Sequence, residues 1–202
     1  FVYQDKIGYI FTSPSTVQLS NQEEQGRWSD ITDQKNISTE VVHMDVFKLW
    51  FDHGKHPDSA SYQYIVVPGV TEQELQETSG NNRGIEIIIN NSDVQAVSNR
   101  KLGITQIVFY KASSVKVADG LTVRMDSPGM AMLKIRDGKA HELTIADPTR
   151  KLSRVIVTLS GNYKVKGDQQ VSVADANGEG TLLILDLPQG VYAGKSVSVG
   201  LD

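Results

Sequence analysis

Short runs of β-branched and aromatic residues recur along almost the whole chain, each bounded by Gly, Asn, Asp, Ser or Pro. This pattern confines the fold to antiparallel sheets. Branched side chains suit a pleated surface, and the turn residues break the chain before a helix can propagate. Strands are expected at 7–11, 41–51, 61–67, 85–89, 104–110, 130–136, 155–160, 171–174, 181–187 and 196–201. Within 130–136, Ala131, Leu133 and Ile135 share one face, while Met132, Lys134 and Arg136 share the other. That alternation marks a half-buried antiparallel strand. In 41–51 the phase changes. Val42, Met44 and Val46 point one way, then Phe47, Leu49 and Phe51 the other. Either a bulge switches the phase, or the second half is buried on both faces.

One helix is expected, over 72–77. Pro68-Gly69 ends the preceding strand, Thr71 caps, and Glu74 three residues later completes a capping box. Asp119-Gly120, Asp137-Gly138 and Asn177-Gly178 mark turns, with Asp137-Gly138 placed as a hairpin. The fold class is therefore all-β.

Charge suggests two units. Residues 1–98 hold 6 Lys and Arg against 14 Asp and Glu, a net −8, whereas residues 99–202 hold 14 against 10, a net +4. A boundary is expected where the sign reverses, giving 1–98 and 99–202. The acidic first half does not suit a polyanion as a whole surface. Arg100-Lys101, Arg150-Lys151 and Arg154 are basic spots without the interleaved aromatics of a nucleic-acid binder, so no nucleic acid is expected. No apolar run approaches the roughly 18 residues of a membrane span. The start, Phe1-Val2-Tyr3-Gln4-Asp5-Lys6, lacks the features of a signal peptide and reads as an interior or processed start. The chain has no cysteine, which removes disulfides, thiolate metal sites and a cysteine nucleophile.

Candidate chemistry is sparse. Asp52-His53-Gly54-Lys55-His56-Pro57-Asp58 is the densest polar cluster. His53 could act as a general base, but no partner is visible beside it. An H-x-x-H spacing off a helix does not gather both rings on one face, so no metal is expected. A tight turn is the simpler reading, with Gly54 and Pro57 setting the backbone. Glu23 and Glu24 are adjacent and would point apart on a strand, unlike the facing carboxylates of a glycosidase; a solvated loop is expected there. Trp50, Tyr62 and Tyr64 lie in apolar runs and are expected in the core. Trp28, in a polar segment, is the candidate for stacking on a sugar. There is no phosphate-cradling glycine loop and no nucleophile elbow. No cofactor is expected.

A further signal is a resemblance. The stretch Trp50-Phe51-Asp52-His53-Gly54-Lys55-His56-Pro57-Asp58-Ser59-Ala60-Ser61-Tyr62-Gln63-Tyr64-Ile65-Val66-Val67-Pro68-Gly69 resembles a signature of polysaccharide lyase family eight. That family includes bacterial chondroitin AC, hyaluronan and xanthan lyases. Asp5-Lys6-Ile7-Gly8-Tyr9-Ile10-Phe11 and Gly26-Arg27-Trp28-Ser29-Asp30-Ile31 are similar to its preceding segments. Val94-Gln95-Ala96-Val97, Leu102-Gly103-Ile104 and Asp147-Pro148-Thr149 are similar to its C-terminal domain. The resemblance covers roughly residues 1–150, and it is to the chondroitin AC lyases in particular.

The resemblance implies a three-part parent: an N-terminal α/α toroid, a central β super-sandwich of the galactose-mutarotase type, and a C-terminal β-sandwich. Residues 1–98 would be the end of the super-sandwich and 99–202 the C-terminal domain. The implied activity is β-elimination at uronic-acid residues of glycosaminoglycans such as chondroitin sulfate and hyaluronan. The implied location is secreted or periplasmic. The family's Asn, His, Tyr and Arg sit on the toroid, and no residue here matches them, so no catalytic residue is assigned. If the β portion were itself active, His53 and Tyr62 would be the first residues to test. The alternative reading is a stand-alone carbohydrate-binding or structural β-sandwich module.

Overall fold

A computed structural model of the chain describes residues 1–80, 84–166, 171–175, 178 and 180–202. Two compact units result, Phe1–Gly80 and Asn81–Asp202.

In the first unit, β1 (Val2–Gln4) and β2 (Ile7–Phe11) form a hairpin across Asp5 and Lys6, both with positive φ. β3 (Gln18–Gly26) pairs with β4 (Val42–Trp50), and β5 (Tyr64–Pro68) adds to β2. The sheets are therefore β1-β2-β5 and the two-stranded β3-β4. Helix α1 (Glu72–Thr78) follows β5. Its capping box forms as expected: Glu74 N donates to Thr71 Oγ1 at 3.2 Å, and Thr71 N donates to Glu74 Oε2 at 2.9 Å. The cap satisfies amide groups that the first turn leaves open. Leu75 of α1, wholly buried, packs with Ile10, Val67 and Val70.

Two expectations are corrected here. Residues 23–26, read as loop, end a nine-residue strand, in which Glu23 and Glu24 occupy successive positions. Polar β3 is recruited by its partner: Glu24 pairs with Lys48, and Glu23 Oε1 lies 3.2 Å from His43 Nδ1. The phase change in β4 is not a bulge. Its register against β3 runs unbroken from Gln18↔Trp50 to Gly26↔Val42. Nor is the second half buried on both faces. Val42 and Met44 stand exposed, and Val46, Phe47 and Leu49 are half-buried.

The second unit is a sandwich. Its strands are β6 (Ile85–Asn90), β7 (Val94–Asn99), β8 (Ile104–Phe109), β9 (Ser113–Ala118), β10 (Leu121–Met125), β11 (Gly129–Arg136) and β12 (Lys139–Ala146). β13 (Arg154–Leu159), β14 (Val171–Asp175), β15 (Thr181–Asp186) and β16 (Val197–Gly200) complete it. One sheet runs β16-β12-β11-β8-β7-β6, the other β14-β15-β13-β10-β9. Ile107, Phe109, Leu133, Leu143 and Ile145 of the first sheet share a buried cluster with Leu121, Val123, Val157, Leu159, Leu183 and Leu185 of the second. Each such side chain contributes about 1.5–3 kcal/mol when fully buried. The expected alternation in β11 holds, with Ala131 and Leu133 inside and Lys134 and Arg136 outside. Asp137-Gly138 turns β11 into β12, pairing Arg136 with Lys139, and Asp119-Gly120 joins β9 to β10. Of the expected turn at Asn177-Gly178, Asn177 lies outside the described residues.

The expected boundary at 98/99 is also corrected, to 80/81. β6 and β7 pair with each other, and β7 pairs with β8, so residues 85–99 build the second unit's sheet. Val94 and Ala96 point into its core. Charge is a surface property, and its reversal inside one sheet marks no break in the hydrogen bonding.

Candidate functional site

The segment after β4 is a turn set by its backbone. Gly54 (φ 72°), His56 (φ 54°) and Ser59 (φ 59°) adopt left-handed conformations. Asp52 Oδ1 accepts from Gly54 N at 2.8 Å, an Asx turn that starts the reversal. Asp52 thus serves the local backbone, as the turn reading requires. Among the described residues, no group of three or more His, Cys, Asp and Glu side chains could hold a metal.

The turn brings His53 and Tyr62 together. Their ring centroids lie 6.1 Å apart, and both stack on Phe51, His53 at 6.3 Å with planes 4° apart and Tyr62 at 5.1 Å. Tyr64 continues the row at 6.2 Å from Tyr62, and Tyr9 lies 6.3 Å beyond Tyr64. Phe11 meets Phe51 edge-on at 5.7 Å. Phe11 sits opposite Tyr64 in the β2–β5 register, which places both on one sheet face. The contact between His53 and Tyr62 is ring against ring. Stacked rings of this kind contribute packing.

The aromatic residues depart from expectation. Trp50, Tyr62 and Tyr64, expected in the core, each keep a large exposed surface. The first unit's buried cluster lies on the α1 side of its sheet, and the opposite face is only partly covered. Trp28 opens a single 3-10 turn, Trp28–Asp30, and is 57% exposed. None of the ring contacts among the described residues includes it, so Trp28 is accessible but stands outside the aromatic row.

Sequence reasoning missed two features of the second unit. One is Asp147, a carboxylate only 3% exposed. Its Oδ1 accepts from Thr149 N (2.8 Å) and Thr149 Oγ1 (2.6 Å), and its Oδ2 from Lys151 N and Leu152 N (both 2.7 Å). Burial pushes its pKa up, but the hydrogen bond from the Thr149 side chain and those from the backbone of Leu152, Lys151 and Thr149 outweigh it. The net result is a pKa lowered to about 2. With its oxygens so engaged, Asp147 organises a loop rather than moving protons. An Asp followed by Pro and Thr was the available signal. The other is Tyr192, 66% exposed in a second loop; its signal was an aromatic residue within the glycine-containing run 188–195.

Comparison with known proteins gives a consistent result. The sequence model described as "Polysaccharide lyase family 8, super-sandwich domain" matches residues 1–79. The one described as "Polysaccharide lyase family 8, C-terminal beta-sandwich domain" matches residues 86–156. These spans fall on either side of the structural division at 80/81. A chondroitinase-AC of Pedobacter heparinus is 30% identical over 200 residues, covering 98% of this chain and 26% of that protein. A hyaluronate lyase of Thermasporomyces composti is 31% identical over 193 residues, covering 94% of this chain and 23% of that protein. A solved chondroitinase AC lyase, studied as enzyme–oligosaccharide complexes, superposes with a TM-score of 0.73 at 31% identity, over 96% of this chain and 26% of that one. The chain thus spans about a quarter of the length of these relatives.

Proposed function

Because this chain belongs to polysaccharide lyase family 8, of which it carries super-sandwich and C-terminal β-sandwich sequence, we propose that it works as the non-catalytic β portion of a longer enzyme. That enzyme cleaves uronic-acid-containing glycosaminoglycans, of the chondroitin sulfate and hyaluronan class, by β-elimination. The observation that carries the reading is the order and extent of the match. Two consecutive β domains of the family account for most of this chain, yet for only about a quarter of its relatives' length.

The chemistry explains why more is needed than these domains offer. β-Elimination removes the C5 proton of the uronate, forms a C4–C5 double bond and breaks the C4–O bond, with a proton delivered to the departing oxygen. The C5 proton lies α to an ionised carboxylate, so the site must neutralise that carboxylate while a base and an acid act on either side. Of the candidates here, His53 and Tyr62 face one another as stacked rings, and Asp147 is enclosed in its loop. We assign the acid–base work to an upstream α/α toroid. The β domains support it, and the exposed aromatic face of the first unit is available to other parts of the same protein. The acidic extracellular polymers such an enzyme would act on fit a secreted or periplasmic location. Among the described residues no helix is long and apolar enough to cross a membrane.

The test is the ultraviolet absorbance of newly formed unsaturated uronate on chondroitin sulfate and hyaluronan. The 202-residue chain alone should give no signal, and the longer protein with its upstream region should give one. A signal from the chain alone would overturn the assignment and direct mutagenesis to His53 and Tyr62.

A further inference from the structure

Two loops of the Asn81–Asp202 unit, 147–153 and 187–196, carry exposed cationic and aromatic side chains that the functional reading leaves unused. The first loop is held from within by Asp147 through its four hydrogen bonds. The second is tied to the first by Gln189, whose Nε2 donates to Leu152 O at 2.9 Å and to Leu187 O at 3.0 Å. The loops also touch where Arg150 crosses Gly194: a β-carbon on Gly194 would lie 3.0 Å from Arg150 Cγ. Glycine there lets the arginine stem lie against the second loop's backbone. Arg150 itself holds a left-handed conformation, φ 63°, uncommon for a residue with a side chain.

Tyr192 stands on this support, and Lys195 Nζ lies 6.0 Å from the centre of its ring. Arg150, Lys151 and Lys195 are exposed and take part in none of the ion pairs found among the described residues. The nearby acids are engaged elsewhere, Asp147 in its loop and Asp186 with Arg154 at 2.7 Å. The result is an exposed aromatic ring with Lys195 over it and the Arg150 stem against Gly194 of the same loop, neither cation held in an ion pair among the described residues, on two loops fixed to each other.

We propose that Arg150, Tyr192 and Lys195 form a binding site for an acidic sugar residue of a polysaccharide, separate from the site of cleavage. The Tyr192 ring takes the apolar face of the pyranose. Arg150, whose planar fork matches a carboxylate or sulfate, takes the charged group, and Lys195 adds a second cation. The identity of the ligand rests on the functional reading above; the site itself rests on the two loops. One aromatic ring with clustered cations suits a substituted sugar better than a nucleic acid strand, which needs successive stacking platforms.

Calorimetric titration of the 202-residue chain with chondroitin sulfate and hyaluronan oligosaccharides tests the site. Uncharged dextran and single-stranded DNA are the controls. Binding of either acidic oligosaccharide, weakening as salt rises, is expected, and preference between them reports whether sulfate or carboxylate dominates. Arg150→Gly, which removes the cation where the backbone favours glycine, and Tyr192→Ala should each weaken binding roughly ten-fold. Circular dichroism of both variants should match the parent chain. Unchanged affinity in both variants, no binding by the parent chain, or equal binding of dextran or DNA overturns the proposal. The unsaturated-uronate assay on the longer protein keeps the two readings apart. Cleavage with unaltered oligosaccharide binding in the variants removes this site alone. Variant-sensitive binding without cleavage by the longer protein removes the functional reading alone.

Discussion

Gly8 and Leu75 compete for one volume in the first unit: a β-carbon on Gly8 would lie 2.5 Å from Leu75 Cδ1 and 2.8 Å from Cδ2. Leu75 is fully buried and packs with Ile10, Val67 and Val70, so moving its side chain disturbs that cluster. Gly8→Ala should therefore destabilise the unit by about 1–3 kcal/mol, as overpacking does. In denaturant titrations, the double variant Gly8→Ala/Leu75→Ala should cost less than the sum of the two single changes. Strict additivity would show that the two residues do not constrain one another.

The turn before β8 imposes a similar limit through backbone. Gly103 has φ 63°, a β-carbon there would run into Ile135 O, and Ile135 N donates to Gly103 O at 2.6 Å. The obstacle is a carbonyl in a sheet, which cannot rotate aside. Gly103→Ala should cost about 3 kcal/mol, combining a wrong backbone conformation with a broken contact. A melting temperature equal to that of the parent chain would refute this.

Asp147 predicts a pH dependence. Its pKa falls from 3.8 to about 2 on folding, so the folded state favours the ionised form. The stabilisation is complete above the unfolded value and is lost as pH drops from about 3.8 toward about 2. Asp147→Ala leaves the part-buried amides of Thr149, Lys151 and Leu152 without their acceptor and should cost about 2 kcal/mol at neutral pH. Chemical denaturation across the acid range should show a smaller loss of stability for the variant than for the parent chain. Parallel curves would mean that Asp147 is not the titrating group.

The two units should differ in stability. The first unit's buried cluster is built on Ile10, Val67, Val70 and Leu75, whereas the second unit's joins two full sheets. Both tryptophans of the chain, Trp28 and Trp50, lie in the first unit. Tryptophan fluorescence therefore reports that unit, while far-ultraviolet dichroism reports both. The fluorescence transition should come at lower denaturant concentration. Coincident transitions would show that the units unfold together.

Local patterns in the sequence determined much of the fold. The alternation of Ala131, Leu133 and Ile135 against Lys134 and Arg136 gave β11 its buried face, Asp137-Gly138 its hairpin, and Thr71 with Glu74 the start of α1. The motif from Trp50 to Gly69 carried the family. These features are legible because neighbouring residues along one strand or one turn set them. Tertiary structure alone decided the rest. Polar β3 is a strand because Lys48, His43 and the backbone of β4 lie beside it. Residues 85–99 join the second unit because β8 completes their ladder. Arg150 meets Gly194, and Gln189 meets Leu152, only where two loops far apart in the sequence converge. Hydrogen-bond partners, burial and charge pairing join residues far apart in the chain, and their free energies are set by surroundings that no single segment contains.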